Sequence, residues 1–397
     1  MLCSRYMEFK DRNKSDLSLV LLRVALWNEG DAKASDIARV GNDSVDSSLA
    51  NVDWNTVVAF FKKQALSGLL PDAVAFLPIQ LQPSIKLKMS MIAQQLQIEQ
   101  MNHSMNGELV AFVEKLENRE IPYLLLKGQG VASLYPHPSH RLCGDIDIYV
   151  PMEHLKEVGK EFLAFGAVRT AESRHHVNFR ARGIAWELHH SIYYFQKKIR
   201  NQIFMKYVDE EMRKDPSFAV IEGKQVRVLS PTMNALLLLS HIVDHFYCEG
   251  VGLRQLCDYA LLLHHHRNDI DKELLLQYLE ELSLLGSYRI FGCICVHYLG
   301  VPRDDLMLEP TPRDMRIAHR VMADCMSGGN FGRADSNSRQ TLWQNVVFYT
   351  RFLRRLWSYR QVCPGEAFWW PLAKAERVLK DEVHVSEEKS VLNRFSK

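Results

Sequence analysis

Residues 141–150 read RLCGDIDIYV, with Asp145 and Asp147 one isoleucine apart inside an otherwise strand-like run. Aspartate is depleted in strands. In an extended chain, residues i and i+2 point to the same face. Both carboxylates therefore project together, while Ile146 and Ile148 face packing on the other side. Two like charges held that close repel, and burying them without a partner is costly. A divalent cation removes the objection, because Mg²⁺ is a hard ion that takes carboxylate and phosphate oxygens together. Gly144, just before the pair, allows a ligand or a second backbone to approach closely.

A third acid is expected from a neighbouring strand. In IAWELHH (184–190), Ile184, Trp186 and Leu188 form one face, and Ala185, Glu187 and His189 form the other. Glu187 thus sits on the less apolar side. Three such acids could hold two Mg²⁺ ions ~3.5–4 Å apart and clamp an in-line phosphoryl displacement. One ion would lower the pKa of an attacking hydroxyl, and the other would neutralise a leaving pyrophosphate. Upstream, LLLKGQGVASLYP (124–136) ends a strand and opens a helix at Gly128–Gly130. Backbone N–H groups at a helix start favour phosphate oxygens. Lys127 could steady a phosphate there, and Arg141 could contact a phosphate or a carboxylate of the site.

Taken together, LKGQGVASLYPHPSHRLCGDIDIYV resembles the large, poorly characterised nucleotidyltransferase-like family of the polymerase-beta-like nucleotidyltransferase superfamily. The shared features are a Leu-Lys-Gly turn, a Tyr-Pro, an Arg and a Gly-Asp-x-Asp before a helical second half. ELHH (187–190) resembles the family's Glu-Leu-His strand, and HIVDHFYCEGVGLRQLCDYALLL (241–263) its helical His…His…Arg…Asp segment. The resemblance runs from about 120 to 265, with an echo at GGNFG (328–332). It implies metal-binding aspartates at Asp145 and Asp147, with Glu187 as third metal ligand or as base for the acceptor hydroxyl. Gly128 would be the turn glycine. Gln129 stands where the wider superfamily usually has serine or glycine, the serine touching triphosphate, and is expected with Lys127, Gly128 and Arg141 among the nucleotide-binding residues.

These residues need a scaffold, and the chain has three regions to supply it. Residues 1–104 are helical in pattern, with SDLSLVLLRVALW, DWNTVVAFFKKQAL and a long amphipathic segment from Pro83. Residues 105–228 mix short strands with a helix at 152–166 that ends on Gly166. HHVNFRARGIAWELHH (175–190) reads as two alternating strands joined at Arg182-Gly183, and KQVRVLSP (224–231) as another. Residues 229–397 are helical again, the helix starting at Pro231 with Ser230 as the cap. The expected fold is α+β: a small mixed sheet carrying the site, flanked by N- and C-terminal helical regions.

Bulk properties narrow the partners. Lys+Arg is 49 and Asp+Glu is 47, a formal charge of +2, which offers no long nucleic-acid track. The eight cysteines are scattered without a Cys-x-x-Cys pair, which fits reduced thiols in the cytoplasm. No export signal and no membrane span is read from the sequence. His241 and His245, four apart on a helix face, are assigned to packing for want of a third ligand. Arg254 and Asp258 have the spacing of a helix pair, HHH (264–266) that of a helix end, and Cys143 that of a small buried residue. The basic, aromatic 345–361 reads as a packed helix, and the glycine-rich 327–338 as a surface loop or a lid over the cleft.

The expected activity is Mg²⁺- or Mn²⁺-dependent transfer of a nucleoside monophosphate from a nucleoside triphosphate to a small-molecule or protein acceptor. The alternatives are a catalytically inactive binding protein of the same fold and a phosphotransferase that moves the γ-phosphoryl group.

Overall fold

The computed structural model describes residues 17–27, 52–173, 175–248, 250–328, 350 and 352–383. Most of the glycine-rich segment 327–338, and the GGNFG echo with it, lies outside the described residues, as does the first part of 345–361.

The fold is α+β. Seven strands, β1 (Leu124–Leu126), β2 (Ile146–Tyr149), β3 (Val168–Glu172), β4 (His176–Ala181), β5 (Ile184–His189), β6 (Ser217–Ile221) and β7 (Lys224–Val228), form one sheet. Their order is β3-β4-β5-β2-β1-β7-β6. β2 pairs antiparallel with β1 and parallel with β5. Two tight hairpins fix the register at the edges. Arg182 and Gly183 both adopt positive φ (50° and 83°), as do Glu222 and Gly223 (47° and 77°). Two consecutive residues of this kind make the type I′ turn that matches strand twist. The first hairpin follows the sequence reading. The second joins β6 to β7, and β6 was missed because Glu-Gly is a weaker turn signal than Asn-Gly or Asp-Gly.

The alternation of each strand divides its residues between two cores. Leu125, Ile146, Ile148, Val177, Phe179, Trp186 and Leu188 pack into one, against Phe112 and Leu116 of the helix Ile85–Glu117 and Phe162 of the helix Leu155–Ala164. Leu124, Leu126 and Tyr149 face the other core, which is built mainly from the helices Pro231–Cys248, Leu253–His265 and Leu285–Leu299. Asp147 and Glu187 lie between residues of the first core, so they point toward the C-terminal helices. The Ile85–Glu117 helix is capped by the Ser84 hydroxyl, which accepts from the Leu87 N–H. It runs through the border expected near residue 104: Met91 belongs to the helical core, and Met105 onward to the core under the sheet. Among the described residues, no helix is long and apolar enough to cross a membrane.

Candidate active site

A cleft of about 590 Å³ opens between the sheet and the C-terminal helices, within the size range of small-molecule sites. Its sheet side carries Lys127, Gly128, Asp145, Asp147, Glu187 and His189, and its helical side includes His241, His245 and Arg254.

The register explains the acidic wall. Asp147 lies directly opposite Glu187 on the parallel pair β2/β5, and Leu126 opposite Asp147 on β1/β2. Asp145 lies one residue before β2 rather than within it, and still lines the cleft. Sequence reasoning expected three converging carboxylates. All three line the cleft, and a tight group there is formed by Asp147, Glu187 and His189, whose ligand atoms all lie within 4.8 Å of one another. His189 Nε2 is 2.8 Å from Asp147 Oδ1 and 3.2 Å from Glu187 Oε2. His189 shares the phase of Glu187 in WELHH, and that was the signal that could have found it.

Lys127 completes this network. Its Nζ is 3.0 Å from Asp147 Oδ1. The lysine backbone has φ 48° and ψ −138°, a conformation that side chains other than glycine rarely adopt. Such strain is held by surrounding structure and clusters at functional sites. Gly128 follows with φ +37°, and a Cβ there would meet the Asp145 carbonyl oxygen at 3.6 Å.

The electrostatics separate the two aspartates. The charge of Asp147, then burial, pushes the Asp145 carboxyl up to about 6. Burial would also raise Asp147, but the Lys127 ammonium and the His189 hydrogen bond outweigh it and hold that carboxyl well below the usual range. Burial opposes the charge on Lys127 and on His189, yet the surrounding acids raise both. His175 and His176 are pushed down to about 3 and about 4, first by burial, with the positive charge of His189 among the further causes.

Two expected ligand contacts look different in space. Arg141 reaches the cleft, but its guanidinium is engaged by Asp258: Nε donates to Oδ1 at 2.7 Å and Nη2 to Oδ2 at 2.6 Å. Tyr135 Oη donates to the same carboxylate at 2.7 Å. Asp258 therefore pairs with Arg141, not with Arg254 as the helical spacing suggested. Arg254 Nη1 donates to the Leu142 carbonyl at 2.6 Å, and its buried Nε has no partner. Gln129 is 3 % exposed and does not line the cleft. Its Nε2 donates to the Asp145 carbonyl at 3.3 Å, so it buttresses the acidic turn from behind. His241 and His245, assigned to packing from sequence, line the cleft with their ring centroids 4.2 Å apart.

The cleft wall thus combines the Asp-x-Asp at the start of β2, an acid in register on the next parallel strand and a strained Lys-Gly turn before them. The chain belongs to the uncharacterised nucleotidyltransferase family. The sequence model of that family matches residues 50–300, which include every site residue named above. No curated protein matches the chain. Among solved structures, an antigenic nucleotidyltransferase-like protein from Paracoccidioides brasiliensis aligns at 14 % identity, over 47 % of this chain and 86 % of that one, with a TM-score of 0.29. Membership in a nucleotidyltransferase family supports nucleotidyl transfer as the general activity.

Nucleotidyltransferases generally use divalent metals, and the donor chemistry of this member suits one. Two carboxylates and an imidazole converge, and Asp145 sits beside them with its ionisation suppressed by Asp147.

Proposed function

We propose that the protein transfers a nucleoside monophosphate from a nucleoside triphosphate to a hydroxyl or phosphate acceptor on a small molecule or a protein side chain, with release of pyrophosphate. The observation that carries this reading is the register of Asp147 against Glu187 on the cleft-facing side of two parallel strands, with Lys127 3.0 Å from Asp147. Asp145, Asp147 and Glu187 would hold Mg²⁺ or Mn²⁺, which supplies positive charge against the triphosphate and the departing pyrophosphate. Lys127 and Gly128 line the same wall and would orient the phosphates, Lys127 through its ammonium and Gly128 through close backbone approach. The Glu187 side chain is 21 % exposed against 3 % for Asp147, so it is the acid better placed to accept the proton of an incoming hydroxyl. The near-neutral chain charge favours a small or protein acceptor over a nucleic acid. Cys143, Cys257, Cys293, Cys295, Cys325 and Cys363 are free thiols, which supports a cytoplasmic setting.

The test is incubation with each α-labelled nucleoside triphosphate, Mg²⁺ and cell extract. The expected result is label on an acceptor with pyrophosphate released by wild type and not by Asp147→Asn. A nucleoside diphosphate product would instead identify γ-phosphoryl transfer. One observation favours a second reading, nucleotide binding without turnover: Lys127 and His189, both in contact with Asp147, themselves offset its charge. Under that reading, nucleotide binds in equilibrium dialysis and no pyrophosphate appears with any extract.

A further inference from the structure

Two imidazoles on the cleft wall, His175 and His176, have no task in nucleotidyl transfer as described above, and His189 stands between them and the carboxylates. We propose that His175, His176 and His189 form a second cation site, adjoining the carboxylate pair, that takes a divalent transition ion such as Zn²⁺.

The geometry is built into the β4/β5 hairpin. His176 pairs with His189 across the two antiparallel strands. His175 precedes β4, and its carbonyl accepts from the N–H of His190 at 2.9 Å and of Ser191 at 3.2 Å, which ties its backbone to the end of β5. Each of the three offers a ring nitrogen, and those nitrogens lie within 4.8 Å of one another. The ring centroids are 4.4 Å apart for His175/His176, 4.9 Å for His176/His189 and 5.7 Å for His175/His189.

A second, independent observation points to a ligand. Nδ1 of His189 is buried and has no hydrogen-bond partner, and Nδ1 of His176, also buried, makes no hydrogen bond either, with the Glu187 carboxylate 3.5 Å away. A buried polar atom left unsatisfied is costly, and such atoms are rare in folded proteins. Two of them in neighbouring rings of one cluster, on the wall of a cleft of this size, suit a cation, which on binding displaces the ring proton of His189.

The donor type selects the ion. Imidazole nitrogen suits Zn²⁺, Fe²⁺ and Cu²⁺, whereas Mg²⁺ prefers oxygen ligands alone. Glu187 Oε2 lies 3.5 Å from His176 Nδ1 and 3.2 Å from His189 Nε2, so this carboxylate can complete a set of three imidazoles and one oxygen. Such mixed nitrogen and oxygen sets are typical of zinc. His189 belongs to both donor groups, His175/His176/His189 and Asp147/Glu187/His189, so the two sites share a wall.

The experiment uses metal-free full-length protein and Zn²⁺ alone, with Co²⁺ as the optical probe. Wild type is expected to bind one equivalent of Zn²⁺ that millimolar Mg²⁺ does not displace. X-ray absorption at the zinc edge should then show imidazole scattering from two or three ligands. His176→Ala and His175→Ala should each weaken Zn²⁺ binding at least as much as loss of an outer-shell partner does, ~10- to 100-fold, and change the Co²⁺ visible band. His175 is partly exposed, so its variant tests the site even if His176→Ala fails to fold, and the wild-type absorption spectrum needs no variant. An all-oxygen coordination shell, or Zn²⁺ affinity unchanged in both histidine variants, would overturn the proposal. Label transfer with Mg²⁺ is read separately, so failure of either reading leaves the other standing.

Discussion

Two histidines in this protein each bridge two carboxylates, and they do so in opposite ways. His140, in the turn Pro138–His140, gives one nitrogen to each acid: Nδ1 lies 2.6 Å from Asp72 Oδ2 and Nε2 2.7 Å from Glu99 Oε1. The contact clamps this turn to the helices Leu70–Ala75 and Ile85–Glu117, and both ring nitrogens are used. His189 shares its single Nε2 between Asp147 and Glu187 while its Nδ1 stays unsatisfied, and it stands on the wall of a 590 Å³ cleft with Asp145 nearby. The same residue types make a closed structural clamp in one place and an open, over-acidic wall in the other. What separates them is completeness: a clamp satisfies its donors internally, whereas a site leaves charge and lone pairs for something that is not part of the chain.

The comparison is sharpest in activity. Asp145→Asn and Asp147→Asn should each lower nucleotide transfer by ~10²–10³-fold, the usual effect of removing one well-placed electrostatic contact. Their effects on stability should have opposite signs. Asp147→Asn leaves Lys127 and His189 buried without their counter-charge, a loss that can approach the ~3–5 kcal/mol of a broken buried pair. Asp145→Asn removes a charge that the fold disfavours. A carboxyl raised from 3.8 to about 6 costs stability as pH climbs through that interval, so the variant should gain at most about 3 kcal/mol at pH 7 in metal-free buffer and nothing near pH 3. Denaturant melts of both variants at the two pH values read the sign directly. Equal shifts of the same sign would mean that the two aspartates share one environment.

Ligand-linked stability comes next in size. Mg²⁺ with nucleotide at a hundredfold excess over its Kd should stabilise wild type by about 2.7 kcal/mol, and Glu187→Gln much less. Calorimetry that finds equal melting temperatures with and without both ligands removes the cleft from consideration as the nucleotide site. His140→Gln should cost about 1–3 kcal/mol and leave label transfer at the wild-type rate. A loss of transfer there would erase the distinction between clamp and site. Its pH dependence follows from the raised pKa: burial opposes the charge, but the Asp72 and Glu99 hydrogen bonds outweigh it. The stabilisation is therefore complete below 6.5 and lost as pH rises through the folded value, so wild type and His140→Gln should converge in stability at alkaline pH. Smallest of all is Glu153→Gln. This acid is exposed in the turn before the helix Leu155–Ala164, and the change should stay within about 0.5 kcal/mol with no effect on transfer.

Much of the chemistry is local in the chain. The i,i+2 phase of Asp145 and Asp147, the alternation that puts Glu187 opposite Trp186 and Leu188, and the Lys-Gly turn are all statements about a few consecutive residues, and strand periodicity alone gives them. The same locality found the Arg182-Gly183 hairpin and the change from helical to mixed to helical character along the chain. Pairing between distant segments could not be read this way. Only the fold could decide that β5 lies parallel to β2 in the register that sets Glu187 beside Asp147, or that Asp258, more than a hundred residues downstream, is the carboxylate that Arg141 meets. His241 and His245 reach the cleft because the sheet turns its acidic face toward their helix, and nothing in the spacing of two histidines carries that information. Local backbone geometry fixes which way a side chain points, and burial competition across the whole chain fixes what it meets.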